Sequence, residues 1–366
     1  MLVPALSMIL AAAAPATPAP ASPAPAHVEA PAPPSDGFHY QTLRVAEGVH
    51  LIYRLDALRV PAEGNVTVIE QADGLVVVDA GGSPVGGRRI IEQIRRFSSK
   101  PVKVVIVTHW HGDHNLGVPA FRAAWPGVRV VAAANTGRDL GTVAAKFYKD
   151  YGDAFRPTGP YAQKKADDVN LTLGERRTRA QLAADAPLIA QAYDEVKGAP
   201  SVDQTFAERL DLPDAKAPVE VLYLGNANTE GDAVVWLPRQ KVLVTGDIVV
   251  SPHPFGTDSY PEHWVQVLKQ LRAYDFKVLI PGHGPIEHDR AYLDALIALI
   301  EDIRGQVTPL AKAGLSLEQV RAKVNFDAEY PRFVSDPFYR RFFDRFFTRP
   351  MVENAFKEAR GETISQ

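Results

Sequence analysis

The 366-residue chain contains no cysteine. That absence removes disulfides, thiolate metal ligands and a cysteine nucleophile together. Any metal must therefore be held by His, Asp, Glu or Asn. An excess of basic charge is also missing: 40 Lys and Arg stand against 43 Asp and Glu. Nucleic-acid binding usually shows as a basic face, so no nucleic-acid partner is expected. No apolar run reaches the ~18–20 residues of a membrane span, so none is expected either. No internal repeat is visible, and the length is enough for one large core or two modest ones.

The N-terminus begins with a short apolar run, "LVPALSMILAAAA", followed by the Pro- and Ala-rich "PATPAPASPAPAHVEAPAPPSDG". The run is too short to cross a bilayer and fits a signal-peptide core, with A-x-A-like cleavage options such as "APA". No Lys or Arg precedes it. The expectation is export to the periplasm, and a cytoplasmic protein if the segment is not a signal. Residues 1–37 then form signal peptide and linker, outside the fold.

From Phe38 the pattern turns globular. "NVTVIEQADGLVVVDAGG" has two β-branched runs around Ala72-Asp73-Gly74, which predicts a hairpin. Ile90, Ile91 and Ile94 lie at helical spacing. "PVKVVIVTH", "GVRVVAA", "VEVLYLG", "AVVWLP", "KVLVTGD" and "FKVLIPGHG" read as strands. Residues 135–218 read as a mostly helical insertion into a domain over 38–300. Residues 301–366 read as a helical extension. Phe338, Phe342 and Phe346 stand four apart, a stripe that predicts core packing. Alternating strands, hairpins and helices suggest a layered α/β fold with mixed sheets.

The densest chemical signal is "THWHGDHNLG" at a strand end. It carries His109, His111, Asp113 and His114, three of the chain's ten histidines. Imidazole nitrogen and carboxylate oxygen suit zinc where sulfur is absent. Two further fragments end strands, "VLVTGD" at Asp247 and "VLIPGHG" at His283. Alone, each is as compatible with a turn residue or a satisfied polar side chain.

The ordered set "HWHGDH", "NTEGDAVVWLP", "TGD" and "PGHG", spanning roughly Val45 to Asp289, resembles the metallo-β-lactamase superfamily. The resemblance implies a four-layer αββα sandwich with its site at one edge of two sheets. It implies His109 and His111 in a first metal site, and Asp113, His114 and His283 in a second. Asp247 matches a bridging carboxylate, and Asp79 a residue supporting the site from behind the ligands. The departure is Asn228, where most members supply a third histidine to the first site. No histidine lies between His114 and His253. An amide oxygen is a poorer zinc ligand than imidazole, so one or two zinc ions are expected, with the first site weak. In the alternative reading Asn228 only shapes the turn.

Zinc lowers the pKa of its bound water to about 7 and supplies hydroxide at neutral pH. With Asp113 orienting that nucleophile, the expected reaction is hydrolysis of a small-molecule ester, thioester or lactone. Asp247 resembles the glyoxalase II-like and lactonase-like branches more than the dedicated β-lactamases. β-Lactam hydrolysis is the runner-up. Asn228 counts against the iron-dependent dioxygenase branch. A metal-binding pseudoenzyme or interaction domain is a further alternative, against which the six other ligand-type residues count. His253, Tyr260 and His263 are candidates for substrate contact or proton donation, with loop packing or helix capping as the alternative. The insertion is expected to roof the cleft or to form a homodimer contact. Its aromatics Phe147, Tyr148, Tyr151 and Phe155 read more readily as core than as substrate contacts.

Overall fold

The computed structural model describes residues 38–54, 62–148, 158–169, 171, 173–334 and 337–364. Residues 1–37, which carry the expected signal and linker, and Tyr151 and Phe155 lie outside the described residues.

Two sheets carry the fold. The first runs in chain order: β1 (Gln41–Ala46), β2 (Val49–Tyr53), β3 (Val66–Glu70), β4 (Leu75–Val78), β5 (Val102–Val107), β6 (Arg129–Ala133) and β7 (Gln204–Phe206). Its pairs are antiparallel up to β4 and parallel from β4 to β7. The second contains β8 (Arg209–Leu212), β9 (Val219–Tyr223), β10 (Ala233–Leu237), β11 (Val242–Val244) and β12 (Val278–Ile280), in the order β12-β11-β10-β9-β8. Only β11 and β12 pair in parallel there. The β3–β4 hairpin turns at the expected Ala72-Asp73-Gly74, with Glu70 opposite Leu75.

The parallel connections require crossovers, and helices supply them. The first helix, α1 (Pro84–Phe97), begins where the Ser83 side chain accepts the Gly86 N–H at 3.0 Å and Pro84 takes the first turn. It ends with Arg95 and Arg96 in the last turn, which favours its negative pole. Its buried face carries Ile90, Ile91 and Ile94. After β5 come two short helices, α2 (Gly112–Asn115) and α3 (Val118–Ala124). The insertion holds α4 (Ala134–Asp139), α5 (Ala145–Phe147), α6 (Thr158–Ala166) and α7 (Leu173–Asp194). It also gives one edge strand to each sheet, β7 and β8. The remaining helices are α8 (Pro261–Ala273), α9 (Ala291–Lys312), α10 (Leu317–Arg321), α11 (Tyr330–Phe333), α12 (Pro337–Phe343) and α13 (Arg349–Arg360).

Alternation sorts the strand side chains into three apolar layers. Between the sheets, Leu51, Ile69, Val78 and Ile106 meet Val221, Val235, Val244 and Ile280. The other face of the first sheet packs Val68, Val77 and Val105 under Ile90, Ile94, Phe121 and Ile189. The other face of the second sheet packs Val234 and Leu243 under Trp264, Leu268, Leu296, Phe343, Phe347 and Met351. Two sheets flanked by helices make the αββα sandwich. Helix α9 runs through residue 300, and the C-terminal helices share one apolar layer with α8 and the second sheet.

The aromatic stripe differs from expectation by one position. Phe343 and Phe347 are buried, while Phe342 and Phe346 are half-buried. The side chain of Phe338 lies outside the described residues. A π-helical turn at Asp344–Thr348 widens the helix locally. Phe343, Phe347, Met351 and Ala355 then keep one face at a spacing of four.

Candidate metal centre

The parallel strands of the first sheet and the strand ends of the second bring the ligand-type residues to one edge. His109 follows β5, Asp247 follows β11, and His283 follows β12. Two groups converge there: His109, His111 and Asp247, and Asp113, His114 and His283. In each, one ligand atom per residue lies within 4.8 Å of the others. His109 Nε2 is 3.0 Å from His111 Nδ1, and His114 Nε2 is 3.1 Å from His283 Nε2. Two facing imidazole lone pairs repel at that distance unless a proton or a cation lies between them. Asp113 Oδ2 sits 3.0 Å from His283 Nε2.

Asp247 joins the groups. Its Oδ2 is 3.6 Å from His109 Nε2, and its Oδ1 is 3.2 Å from His114 Nε2 and 3.6 Å from His283 Nε2. The glycines around His283 make this approach sterically feasible. A Cβ on Gly282 would stand 2.0 Å from Asp247 Oδ1, and one on Gly284, whose φ is +85°, 1.7 Å from the Ser251 carbonyl oxygen.

The supporting contacts select the ring nitrogen that each histidine offers. His114 Nδ1 donates to Asp79 Oδ2 at 2.8 Å, leaving Nε2 for the centre. Thr108 reaches the same carboxylate through its N–H and its hydroxyl, both at 2.9 Å, and its Oγ1 lies 2.9 Å from His109 Nδ1. Asp79 holds these partners from a left-handed backbone, with φ +64°. A non-glycine residue there is strained, and such strain concentrates at functional sites. His111 Nε2 is 3.0 Å from Asp258 Oδ2, so His111 presents Nδ1.

The electrostatics favour a cation. Burial, with His114, His111 and His283 close by, pushes His109 well below the ordinary imidazole range. Burial also opposes charge on His114, but Asp247, Asp113 and Asp79 outweigh it and raise His114 well above that range. Burial would lift Asp113 and Asp247; His114 and His283 instead hold both below the usual carboxylate value. A buried set of carboxylates facing imidazole nitrogens, with no sulfur, is a donor set that fits zinc.

Asn228 sits in the loop between β9 and β10, fully buried, and neither amide atom has a hydrogen-bond partner among the described residues. An orphaned buried amide is costly, and such a group calls for a ligand or water. Its loop is tied down on both sides. Ala233 N–H donates to the Thr108 carbonyl, and Tyr260 N–H to the Ala227 carbonyl, each at 2.8 Å.

The three candidate substrate contacts separate. His253 is buried, with its ring stacked on Tyr339 at 5.2 Å. The Tyr260 hydroxyl donates to Glu230 Oε1 at 2.9 Å, inside the Asn228 loop. His263 is exposed on the first turn of α8. In the insertion, Tyr148 is buried and its hydroxyl accepts the Gly112 N–H at 2.6 Å, whereas Phe147 is 59% exposed.

Sequence reasoning missed Asp258 and Asn65. Asn65 Nδ2 donates to the Pro281 and Gly284 carbonyls, each at 2.9 Å, and its N–H to the Gly282 carbonyl at 2.7 Å, so it clamps the loop bearing His283. Neither residue belongs to a motif. The partners lie 147 and 216 residues away, and no local pattern signals them.

The chain is similar to a linear primary-alkylsulfatase from Pseudomonas sp. (strain ATCC 19151), 25% identical over 273 residues, which are 70% of this chain and 49% of the relative. The chain thus spans about half the length of that relative. It is 26% identical to a metallo-beta-lactamase type 2 from Bacillus sp. (strain 170) over 62% of this chain and 68% of that protein. Its fold matches the solved structure of a stereoselective inverting sec-alkylsulfatase from Pseudomonas sp. with a TM-score of 0.61 at 16% identity, over 87% of this chain and 50% of the other. The model of the metallo-beta-lactamase superfamily matches residues 59–283, more than half of the chain, and with the ligand-type residues gathered at one edge of an αββα sandwich it places this chain in that superfamily.

Proposed function

We propose that the chain is a zinc-dependent hydrolase of a small-molecule ester, thioester or lactone. One observation carries the reading: the Asp247 carboxylate stands between the two ligand groups, one oxygen toward His109 and the other toward His114 and His283. Such a carboxylate serves two adjacent cations or strengthens one. When bound, zinc activates water as a nucleophile and stabilises negative charge developing on the substrate.

The chain's own residues supply the rest. His109 and His111 would hold one position, with Asp247 shared. Asp113, His114 and His283 would hold the other. Asp113, at the second position, is placed to accept a proton from the attacking water. Asp79, Thr108 and Asp258 keep the rings in the ligating tautomer, which limits reorganisation during the reaction. Asn228 offers the first position a neutral oxygen in place of a third imidazole. The first site therefore binds zinc more weakly than the second. Zinc titration with metal analysis tests this, and two equally tight ions would refute it. The apolar N-terminal segment and its Pro- and Ala-rich successor support export.

A second reading, hydrolysis of a sulfate ester, is favoured by the similarity to an alkylsulfatase over 70% of the chain. β-Lactam hydrolysis stands third. The zinc-loaded protein should be assayed with ester, lactone, thioester, alkyl sulfate and nitrocefin substrates. Turnover of carboxylic esters or lactones supports the first reading. Turnover of alkyl sulfate alone would transfer the function to the second, and of nitrocefin alone to the third. No turnover at full metal occupancy would make the chain a metal-binding module.

A further inference from the structure

Beside the candidate centre runs a row of aromatic rings that the core does not use. His111 meets the edge of Phe255 at 5.8 Å and 86°. Phe255 stacks on Phe346 at 5.7 Å and 22°, and Phe346 lies 4.5 Å from Phe342. All three phenylalanines are half-buried, while their chain neighbours Phe343 and Phe347 fill the core. The row is built in. Gly256 N–H donates to the Phe346 carbonyl at 2.9 Å, fastening the Phe255 loop to the π turn. A Cβ on Gly256 would press to 3.1 Å against both Met351 and Phe347, so glycine lets the loop lie that close. His111 also meets Trp110 at 4.6 Å, and Trp110 leads to the exposed ring of Phe147 at 6.4 Å. Ligand sites are concave and mostly apolar with a few convergent polar groups, and contiguous exposed apolar surface beside such groups marks binding.

We infer that Phe255, Phe346 and Phe342 seat the apolar portion of the substrate, an extended alkyl or aryl group attached to the bond held at the ligand cluster. The inference rests on the hydrolase reading and narrows its substrate class. The occupant is fixed by continuity: the row starts on a ligand-type histidine, so whatever lies along it shares one end with the centre. Short polar esters leave the row empty. Medium-chain esters cover it.

The test uses the zinc-loaded full chain and p-nitrophenyl esters from acetate to octanoate. Each methylene that reaches the row should raise kcat/KM by about 3- to 4-fold. Phe346→Ala should lower the octanoate-to-acetate ratio by roughly tenfold, the value of about two buried methylenes. Phe342→Ala, at the far end of the row, should lower the octanoate value more than the butyrate value. It serves as the second variant if Phe346→Ala melts at a reduced temperature. Calorimetric binding of 1-octanol against 1-butanol is a readout independent of turnover. If no ester is hydrolysed, the carboxylic-ester reading falls, while weaker octanol binding by the variants still supports the seat. An unchanged chain-length profile together with unchanged octanol affinity overturns it. Variants that alter only the oligomeric state reassign the row to a contact between copies.

Discussion

At Asn228 the buried amide oxygen and nitrogen both lack partners, and the loop around them is fastened to Thr108 and Tyr260. The buried amide therefore calls for a ligand or an ordered water as its hydrogen-bond partner. Imidazole is a stronger zinc donor than a carboxamide. Asn228→His should therefore tighten zinc at the first position by at least about tenfold, measured by chelator competition. An unchanged affinity would show that position 228 only shapes the turn. Asp258 acts one step further out. Replacing it with Asn puts a neutral amide where the His111 N–H donates to a carboxylate. Zinc affinity or turnover should fall about 10- to 100-fold, with little change in the melting temperature of the metal-free protein. Glu63 gives a pH signature. Burial pushes its carboxyl from 4.5 up to about 7, although Gly82 N–H and the Tyr40 hydroxyl both donate to it at 2.7 Å. A folded pKa above the unfolded one means the folded chain holds the proton more tightly. That stability is complete below pH 4.5 and is lost as pH rises through about 7. Glu63→Gln should flatten the fall in melting temperature of the metal-free protein between pH 5 and 8.

Among the elements, the C-terminal helical run separates sequence pattern from packing most clearly. Both a 338/342/346 face and a 343/347/351 face show a spacing of four, so periodicity alone cannot choose between them. The π turn and the fit beneath Trp264 choose the second. Phe343→Ala should cost about 3–5 kcal/mol in chemical denaturation. Phe342→Ala, from the half-buried face, should cost well under half of that. Equal losses would contradict the observed register. The loop after β12 makes the same point differently. Its "PGHG" run announces a close backbone approach, which the structure locates against Asp247 and Ser251. The Asn65 clamp that holds it arrives from before β3 and leaves no trace in the motif.

For the whole molecule, three apolar layers hold the sheets and helices together, while the polar cluster sits at one edge where strands end. A metal bound there would stabilise only the folded state, because the candidate ligands come from positions scattered over the chain between His109 and His283. Chelation should lower the melting temperature, and zinc should restore it. Apo and zinc-loaded proteins melting at the same temperature would exclude a metal bound by the assembled centre.

The amino-acid sequence alone determined the donor chemistry and the strand framework. With no cysteine present, any metal ligands had to be nitrogen or oxygen donors, and short-range alternation and spacing specify strands, hairpins and the HWHGDH loop because their physics is local. Tertiary structure decided what depends on contacts between distant segments: the sharing of Asp247, the tautomers set by Asp79 and Asp258, the Asn65 clamp, the orphaned amide of Asn228 and the aromatic row running from His111. Those contacts follow from how two sheets and their helices pack, and no window of neighbouring residues contains them.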